Sequence, residues 1–303
     1  MSDVSKVVKK IISGYEKRER ISMIDLPRQP NKDVIINIIE DLRKVLFPGY
    51  FDEKKLKSEF IEYYVGEKIE NIKYNLEKQM VYAFRCCENH RDDSEEELTK
   101  MAVEKTGKFL ETIPKLQEYL DTDVEATFDG DPAAFGYDEI VYSYPGIYAI
   151  MVARIAHELY LLEVPLIPRI MTEHAHSLTG IDINPGATIG KYLCIDHGTG
   201  IVIGETTIIG EHVKIYQGVT LGGLSTSEGQ GLKGKKRHPT ICDYVTIYSG
   251  ASILGGDTTI GKGSVIGGNV FITSSIDENT RVTRKTEELK FAQRKIKGKK
   301  NQN

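Results

Sequence analysis

From residue 183 to residue 272 an aliphatic side chain returns at every sixth position. The series runs Ile183, Ile189, Ile195, Ile201, then Ile203, Ile209, Ile215, Leu221, and after a polar gap Ile241, Ile247, Ile253, then Leu254, Ile260, Ile266, Ile272. A helix repeats on 3.6 residues and a strand on two, so neither produces a beat of six. A parallel β-helix does: short strands wind around a narrow axis, each aliphatic side chain stacks on its counterpart one coil away, and small residues turn the corners. Three beats, about 18 residues, make one coil. The two-residue step from Ile201 to Ile203 and the one-residue step from Ile253 to Leu254 each predict a local bulge. Leu221 and Ile241 are 20 residues apart, 14 more than one repeat needs, so the stretch GGLSTSEGQGLKGKKRHP is expected to leave the coil as a loop.

Glycine usage changes where the beat begins. Of 28 glycines, 20 lie between Gly180 and Gly268 and seven precede them. Upstream the apolar spacing is helical, as in Ile35, Ile38, Leu42 and Val45 or Ile69, Ile72, Leu76 and Met80. Pro48-Gly49 and Asp129-Gly130-Asp131-Pro132 interrupt the helical stretches, and Asp131 is placed to cap a following helix. The chain therefore reads as α+β: an N-terminal all-helical domain (1–178), a C-terminal parallel β-helix of hexapeptide repeats (179–276) with an extruded loop (222–238), and a basic tail (277–303).

A chain of 303 residues, 40% hydrophobic, is long enough for two cores. Four cysteines without a CxxC spacing fit neither a disulfide framework nor a zinc site, which points to a reducing, cytoplasmic setting. No apolar run approaches the ~20 residues of a membrane span, and MSDVSKVVKK lacks the apolar centre of a secretory signal. The net charge of −4 conceals nine Lys/Arg against two Glu in residues 281–303. No aromatic or base-reading motif accompanies that run, so it reads as a solvated end and no nucleic-acid or membrane partner is expected.

Several motifs fail on inspection. Gly198, Gly200 and Gly204 are spaced GxGxxxG with no helix following. Gly229 to Lys235 reads GxxxxGK, but Lys236 stands where a phosphate loop needs Ser or Thr. His174 and His176 read as solvated imidazoles at the domain junction, and Lys233 to Arg237 as a solvated loop, with contact to ligand phosphate by Lys233, Lys235 and Lys236 left open.

The chemistry-bearing stretch is CIDHGTG, residues 194 to 200. A neutral histidine beside a carboxylate can take a proton from a hydroxyl near neutral pH, because the carboxylate fixes the tautomer and stabilises the imidazolium. His197 is the candidate base. Asp196 is a poor partner if both lie on one strand, since neighbouring strand residues face opposite ways. Asp182, 15 residues upstream, falls on the neighbouring coil but out of phase, which permits proximity. A polar pair satisfied at a strand turn is the alternative.

The segments DINPGATIG (182–190), LCIDHGTGIVIGET (193–206), VTLGG (219–223) and KRHPTI (236–241), with DPAA (131–134) and ARIAHELY (153–160) upstream, resemble serine O-acetyltransferase, a hexapeptide-repeat acyltransferase. That resemblance implies a left-handed β-helix and transfer of acetyl from acetyl-CoA directly to the L-serine hydroxyl, giving O-acetylserine for cysteine biosynthesis. It implies His197 as general base supported by Asp182, Asp131 and Asp196 on the serine ammonium, and Arg237 and His238 on its carboxylate, in a groove made by two chains. It also implies Gly222, Gly223, Ser249, Gly267 and Gly268 along the pantetheine arm of the acetyl-CoA co-substrate, no metal, inhibition by L-cysteine at the serine site, and a homotrimer, with a hexamer as the larger alternative. The sequence departs from the family pattern at Asn184, where a histidine is common, and at its end, KKNQN. Ending in Asn303 rather than isoleucine argues against a complex with the sulfhydrylase that consumes O-acetylserine. Two other readings of the fold are a metal hydrase, which would need His197, His212 and His238 to converge between chains, and a non-catalytic scaffold.

Overall fold

The computed structural model describes residues 3–285 except 16, 19–21, 23–27, 53–54, 226, 228 and 233. Lys233 and most of the basic tail, including Asn303, lie outside the described residues. Among those described, eight α-helices precede the first strand: α1 (Asp3–Tyr15), α2 (Lys32–Leu46), α3 (Ile61–Arg85), α4 (Glu95–Leu110), α5 (Ile113–Gly130), α6 (Tyr137–Ser143), α7 (Pro145–Leu161) and α8 (Ile167–Thr179). The apolar stripe of α2 is buried at Ile35, Ile38, Ile39 and Leu42, and α3 contributes Ile72, Leu76 and Met80 to the same core. Helix starts carry their own signals. Asn31 accepts from the Asp33 and Val34 amides at α2, and Ser94 with Glu97 forms a capping box at α4. None of the helices is long and apolar enough to cross a membrane.

Helix α8 ends at Gly180 in the left-handed conformation, and the chain turns directly into the coil. Each coil contributes three strands. The first holds β1 (Asp182–Ile183), β2 (Thr188–Ile189) and β3 (Cys194–Asp196); the second β4 (Val202–Ile203), β5 (Ile208–Ile209) and β6 (Lys214–Tyr216). The third holds β7 (Thr220–Gly222), β8 (Thr240–Ile241) and β9 (Thr246–Ile247); the fourth β10 (Ser252–Leu254), β11 (Thr259–Ile260) and β12 (Val265–Ile266), followed by β13 (Phe271–Ile272) and β14 (Arg281–Val282). All pairing is parallel, in three sheets: β1-β4-β7-β10-β13, β2-β5-β8-β11 and β3-β6-β9-β12-β14. The sheets form the faces of a prism whose axis is filled by the aliphatic beat, with Ile203, Ile215, Leu221, Ile247, Ile253 and Ile260 buried.

Register explains the slips. Asp182 pairs with Val202 and Cys194 with Lys214, so the first coil is two residues longer than the next, in which Val202 pairs with Thr220. The two residues are inserted in the turn 197–201, where Ile201 is buried at a corner. After the loop, Ile253 points inward and Leu254 does not, which absorbs the second slip. The loop leaves between β7 and β8 and carries a short 3₁₀ turn at Gly229–Leu232. Beyond residue 276 the coil continues into the segment read as tail: Ile276 bridges Ile260, and the Gly267 amide donates to the Val282 carbonyl.

A buried ion pair helps to fasten the helical part to the first coil. Arg154 of α7 reaches both carboxylate oxygens of Asp123 of α5, at 2.7 and 2.8 Å, and donates to the carbonyls of Ile189 and Gly190. Asp123, fully buried, also accepts from the Leu193 amide at 2.9 Å. Replacing Arg154 with Met strands a carboxylate in the interior, and a loss of about 3–5 kcal/mol of unfolding free energy is expected in urea titrations. Restoring neutrality with Arg154→Met and Asp123→Leu together should recover part of that loss.

Candidate active site

His197 sits immediately after β3, on the corner leading from the third sheet to the first. Its φ is +60°, and Gly198 and Gly200 follow at +80° and +81°. The inserted residues therefore form a left-handed turn, and His197 is not on the strand. This corrects the opposite-faces expectation: Asp196 Oδ1 lies 3.6 Å from His197 Nδ1. The imidazole is largely exposed, whereas Asp196 is mostly covered. A side chain at Gly198 would be strained by its positive φ and would displace Ile181, whose Cδ1 lies 2.5 Å from a Cβ built there.

Helix α5 delivers a second carboxylate to the same place. Asp131 is its C-cap and not the N-cap of a later helix, because residues 131–133 form a turn in which Oδ1 accepts from the Ala133 amide at 2.9 Å. Oδ2 accepts from the Tyr144 hydroxyl at 2.7 Å. These two bonds, with the nearby charges of Lys214 and His197, hold the Asp131 carboxyl below its usual range. The same bond pushes Tyr144 up to about 12. Lys214 lies 3.6 Å from Asp196 Oδ2 and donates to the Gly130 carbonyl, tying the end of α5 to β6. Two carboxylates thus face one lysine, an excess of negative charge suited to an ammonium group.

Asp182 starts β1 below the same corner. Its recorded ion pair is with Arg169 of α8 at 3.7 Å, and no hydrogen bond or ion pair among the described residues joins it to His197. Arg169 also pairs with Glu173 at 2.5 Å. Glu173, His176 and Asp182 bring ligating atoms within 4.8 Å of one another, and the two carboxylates share the Arg169 guanidinium.

Arg237 and His238 occupy a different corner, between the first and second sheets. Arg237 Nη2 meets Glu205 Oε2 at 2.5 Å, and Glu205 Oε1 accepts from Tyr160 at 3.3 Å; Arg237 Nη1 is buried without a partner among the described residues. The Thr206 hydroxyl accepts from the Arg237 and His238 amides and bonds His238 Nδ1 at 2.9 Å. Because Nδ1 also accepts from the Thr206 amide at 3.0 Å, the ring proton resides on Nε2. The ring lies against Gly204, where any Cβ would come within 2.1 Å of it. Lys236 donates to the His238 and Pro239 carbonyls and to that of Thr206, so its charge serves the loop base.

Of the expected acetyl-CoA residues, Ser249, Gly267 and Gly268 lie on the His197 corner in later coils, whereas Gly222, the last residue of β7, and Gly223 after it lie at the Arg237 corner. His212 is at the third corner, stacked between Tyr192 and Tyr244 at 4.1 and 4.6 Å. In one chain the three imidazoles of the hydrase reading therefore occupy three separate corners.

No family model matches the sequence. The plasmid-encoded serine acetyltransferase of Synechococcus elongatus is 44% identical over 253 residues, covering 82% of this chain and 79% of that protein. The chain belongs to the serine acetyltransferase family. Among solved structures, isoform 3 of the Entamoeba histolytica enzyme in complex with cysteine is 31% identical, covers 97% of this chain and 96% of its own, and superposes with a TM-score of 0.73. A serine acetyltransferase in complex with CoA matches at 25% identity and a TM-score of 0.52, covering 82% of this chain and 95% of its own. Likeness to the first of these extends through the helices as well as the coil.

Tyr144, Lys214, Glu205 and Thr206 were not identified as site residues from sequence. Only Glu205 and Thr206 carried a signal, as the end of the LCIDHGTGIVIGET segment.

Burial, with Arg237 beside it, lowers His238 to about 4. The unfolded chain takes up this proton near pH 6.5 and the folded chain only near 4, so between those values the unfolded state binds more protons and stability falls as pH is lowered. Chemical-denaturation midpoints at pH 7 and 4.5 should show this loss, and His238→Gln should make it smaller.

Proposed function

We propose that the chain transfers the acetyl group of acetyl-CoA directly to the hydroxyl of L-serine, with His197 as the general base. The observation that carries this reading is the cluster at the long corner: an exposed imidazole on a left-handed turn, with Asp196 at 3.6 Å and Asp131 delivered by α5. The imidazole takes the hydroxyl proton as the serine oxygen attacks the thioester carbonyl; the tetrahedral intermediate then collapses and expels the CoA thiolate. Asp131 and Asp196 hold the serine ammonium, which places the hydroxyl at the ring.

Asp182 supports His197 in this reading. To do so it exchanges Arg169 for the imidazole when substrate is present. Arg237 and His238 hold the carboxylate from a neighbouring copy. The unpartnered Nη1 and the Nε2–H of a histidine that stays neutral are suitable donors, and their place on another corner requires that two prisms pack side by side. The convex His197 corner then becomes a crevice, with Gly222 and Gly223 of the second copy opposite Ser249, Gly267 and Gly268 of the first. A closed ring of this head-to-tail contact is a trimer. The left-handed sense of the coil belongs to the same inference.

Cysteine bound to the Entamoeba relative supports inhibition of this chain by L-cysteine at the serine site, since the two amino acids share ammonium and carboxylate. Cytoplasmic placement fits the four free thiols. The sulfhydrylase complex is not part of this reading, because the terminal residues that would make it lie outside the described structure.

Thiol release from acetyl-CoA should depend on L-serine in a screen that also offers homoserine, sugars and aminoglycosides. His197→Ala is expected to lower kcat by about 10²–10⁴ while leaving the Kd for CoA within a factor of two or so. Full activity in that variant would remove His197 as the base.

A further inference from the structure

The corner that begins with His197 continues along the whole coil. Asp196 and Tyr216 are Cα partners, and the rings of Tyr216 and Tyr248 stack 5.0 Å apart. The residues that follow them therefore form a column: His197, Gln217, Ser249, then Gly268. Backbone bonds hold it, from the Gly218 amide to Thr199, the Gly250 amide to Gln217 and the Asn269 amide to Ser249. Tyr216 and Tyr248 wall one side. On the other, Gly200, Gly218 and Gly250 follow one another at positive φ, so close that a Cβ on Gly218 would lie 3.5 Å from Gly250. The result is a straight track with a low floor, ending at the imidazole.

Gln217 is the one long side chain in that column after His197, and its Oε1 is buried with no hydrogen-bond partner among the described residues. An amide acceptor shielded from water and left unpaired carries a desolvation penalty that a ligand donor would relieve. In acetyl-CoA the thioester sulfur is joined by an ethylene link to the amide nitrogen of the pantetheine arm, a reach comparable with the ~4.8 Å between neighbouring strands. With the thioester at His197, that N–H falls one coil along, at Gln217.

We propose that Gln217 is a positioning residue for the acyl donor: its side-chain carbonyl accepts from the pantetheine N–H nearest the thioester and so sets the acetyl carbonyl over the serine hydroxyl at His197. The role deepens the acetyltransferase reading and rests on it. It is specific to the donor, because Asp131, Asp196 and the cationic clamp handle the acceptor. It requires only that the amide turn toward the track, since both ends of a glutamine amide occupy similar space.

The test is steady-state kinetics and melting of the full-length chain. Gln217→Leu, similar in size but without the acceptor, is expected to raise the KM for acetyl-CoA about tenfold. The KM for L-serine should stay within a factor of two and the melting temperature should be unchanged or higher, because an unpaired buried acceptor has been removed. An unchanged KM for acetyl-CoA overturns the proposal. So does a fall in kcat of a hundredfold at constant KM, which would place the amide on the carbonyl oxygen instead. If Gln217→Leu melts early, Gln217→Asn decides, since it withdraws the amide by one methylene; the same selective rise supports the role and its absence overturns it. Failure of the parent reading looks different: the unmodified chain would release no thiol when L-serine is added.

Discussion

The buried pair of Arg154 and Asp123 joins two architectures that have no periodicity in common. A helical bundle and a six-residue solenoid present surfaces of different pitch, and apolar packing alone leaves their relative rotation weakly specified. A guanidinium that must satisfy a carboxylate on α5 and two carbonyls of the first coil, while that carboxylate also takes the Leu193 amide, admits one arrangement. Its consequence is functional. Once α5 is set at that angle, its C-terminal end projects Asp131 toward the turn that carries His197, and Lys214 holds it there through the Gly130 carbonyl.

The coil contributes rigidity and a choice of corners. His197 shares its positive φ with Tyr192, His212 and Tyr244 at the regular corners, and the turn at 197–201 is set apart by its two extra residues and by Gly198 and Gly200 following at positive φ. The second irregularity, the loop before β8, delivers Arg237 and His238 one corner away. His197 and the Arg237–His238 pair are thereby kept apart within a chain, and in the proposed reading a neighbouring copy supplies the missing half. At the remaining corner His212 is stacked between Tyr192 and Tyr244, which closes it with aromatic rings.

Two of the groups at these corners have their charge set by their surroundings. Asp131 is kept ionised by a tyrosine hydroxyl and a backbone amide, both neutral donors that leave its negative charge available to a cation. His238 is kept neutral by burial beside Arg237, so in the proposed clamp it offers a neutral Nε2–H next to a guanidinium that Glu205 already pairs.

Periodicity in the sequence was sufficient for the coil, because the interior of a narrow prism accepts only an aliphatic residue at each beat, and every departure from the beat has a structural counterpart at 197–201, 222–238 and 253–254. His197 was legible for the same reason: a titratable side chain amid small and aliphatic residues has no packing role to explain it. What the sequence could not decide was anything set by contact between distant segments. The approach of Asp131 depends on the angle of α5, the pairing of Asp182 with Arg169 depends on where α8 ends, and the closeness of Asp196 to His197 depends on a backbone angle that glycine neighbours permit but do not compel. Local residue choice encodes the repeat; the tertiary structure alone determines which carboxylate meets which cation, because those distances are fixed by packing between elements and not by spacing along the chain.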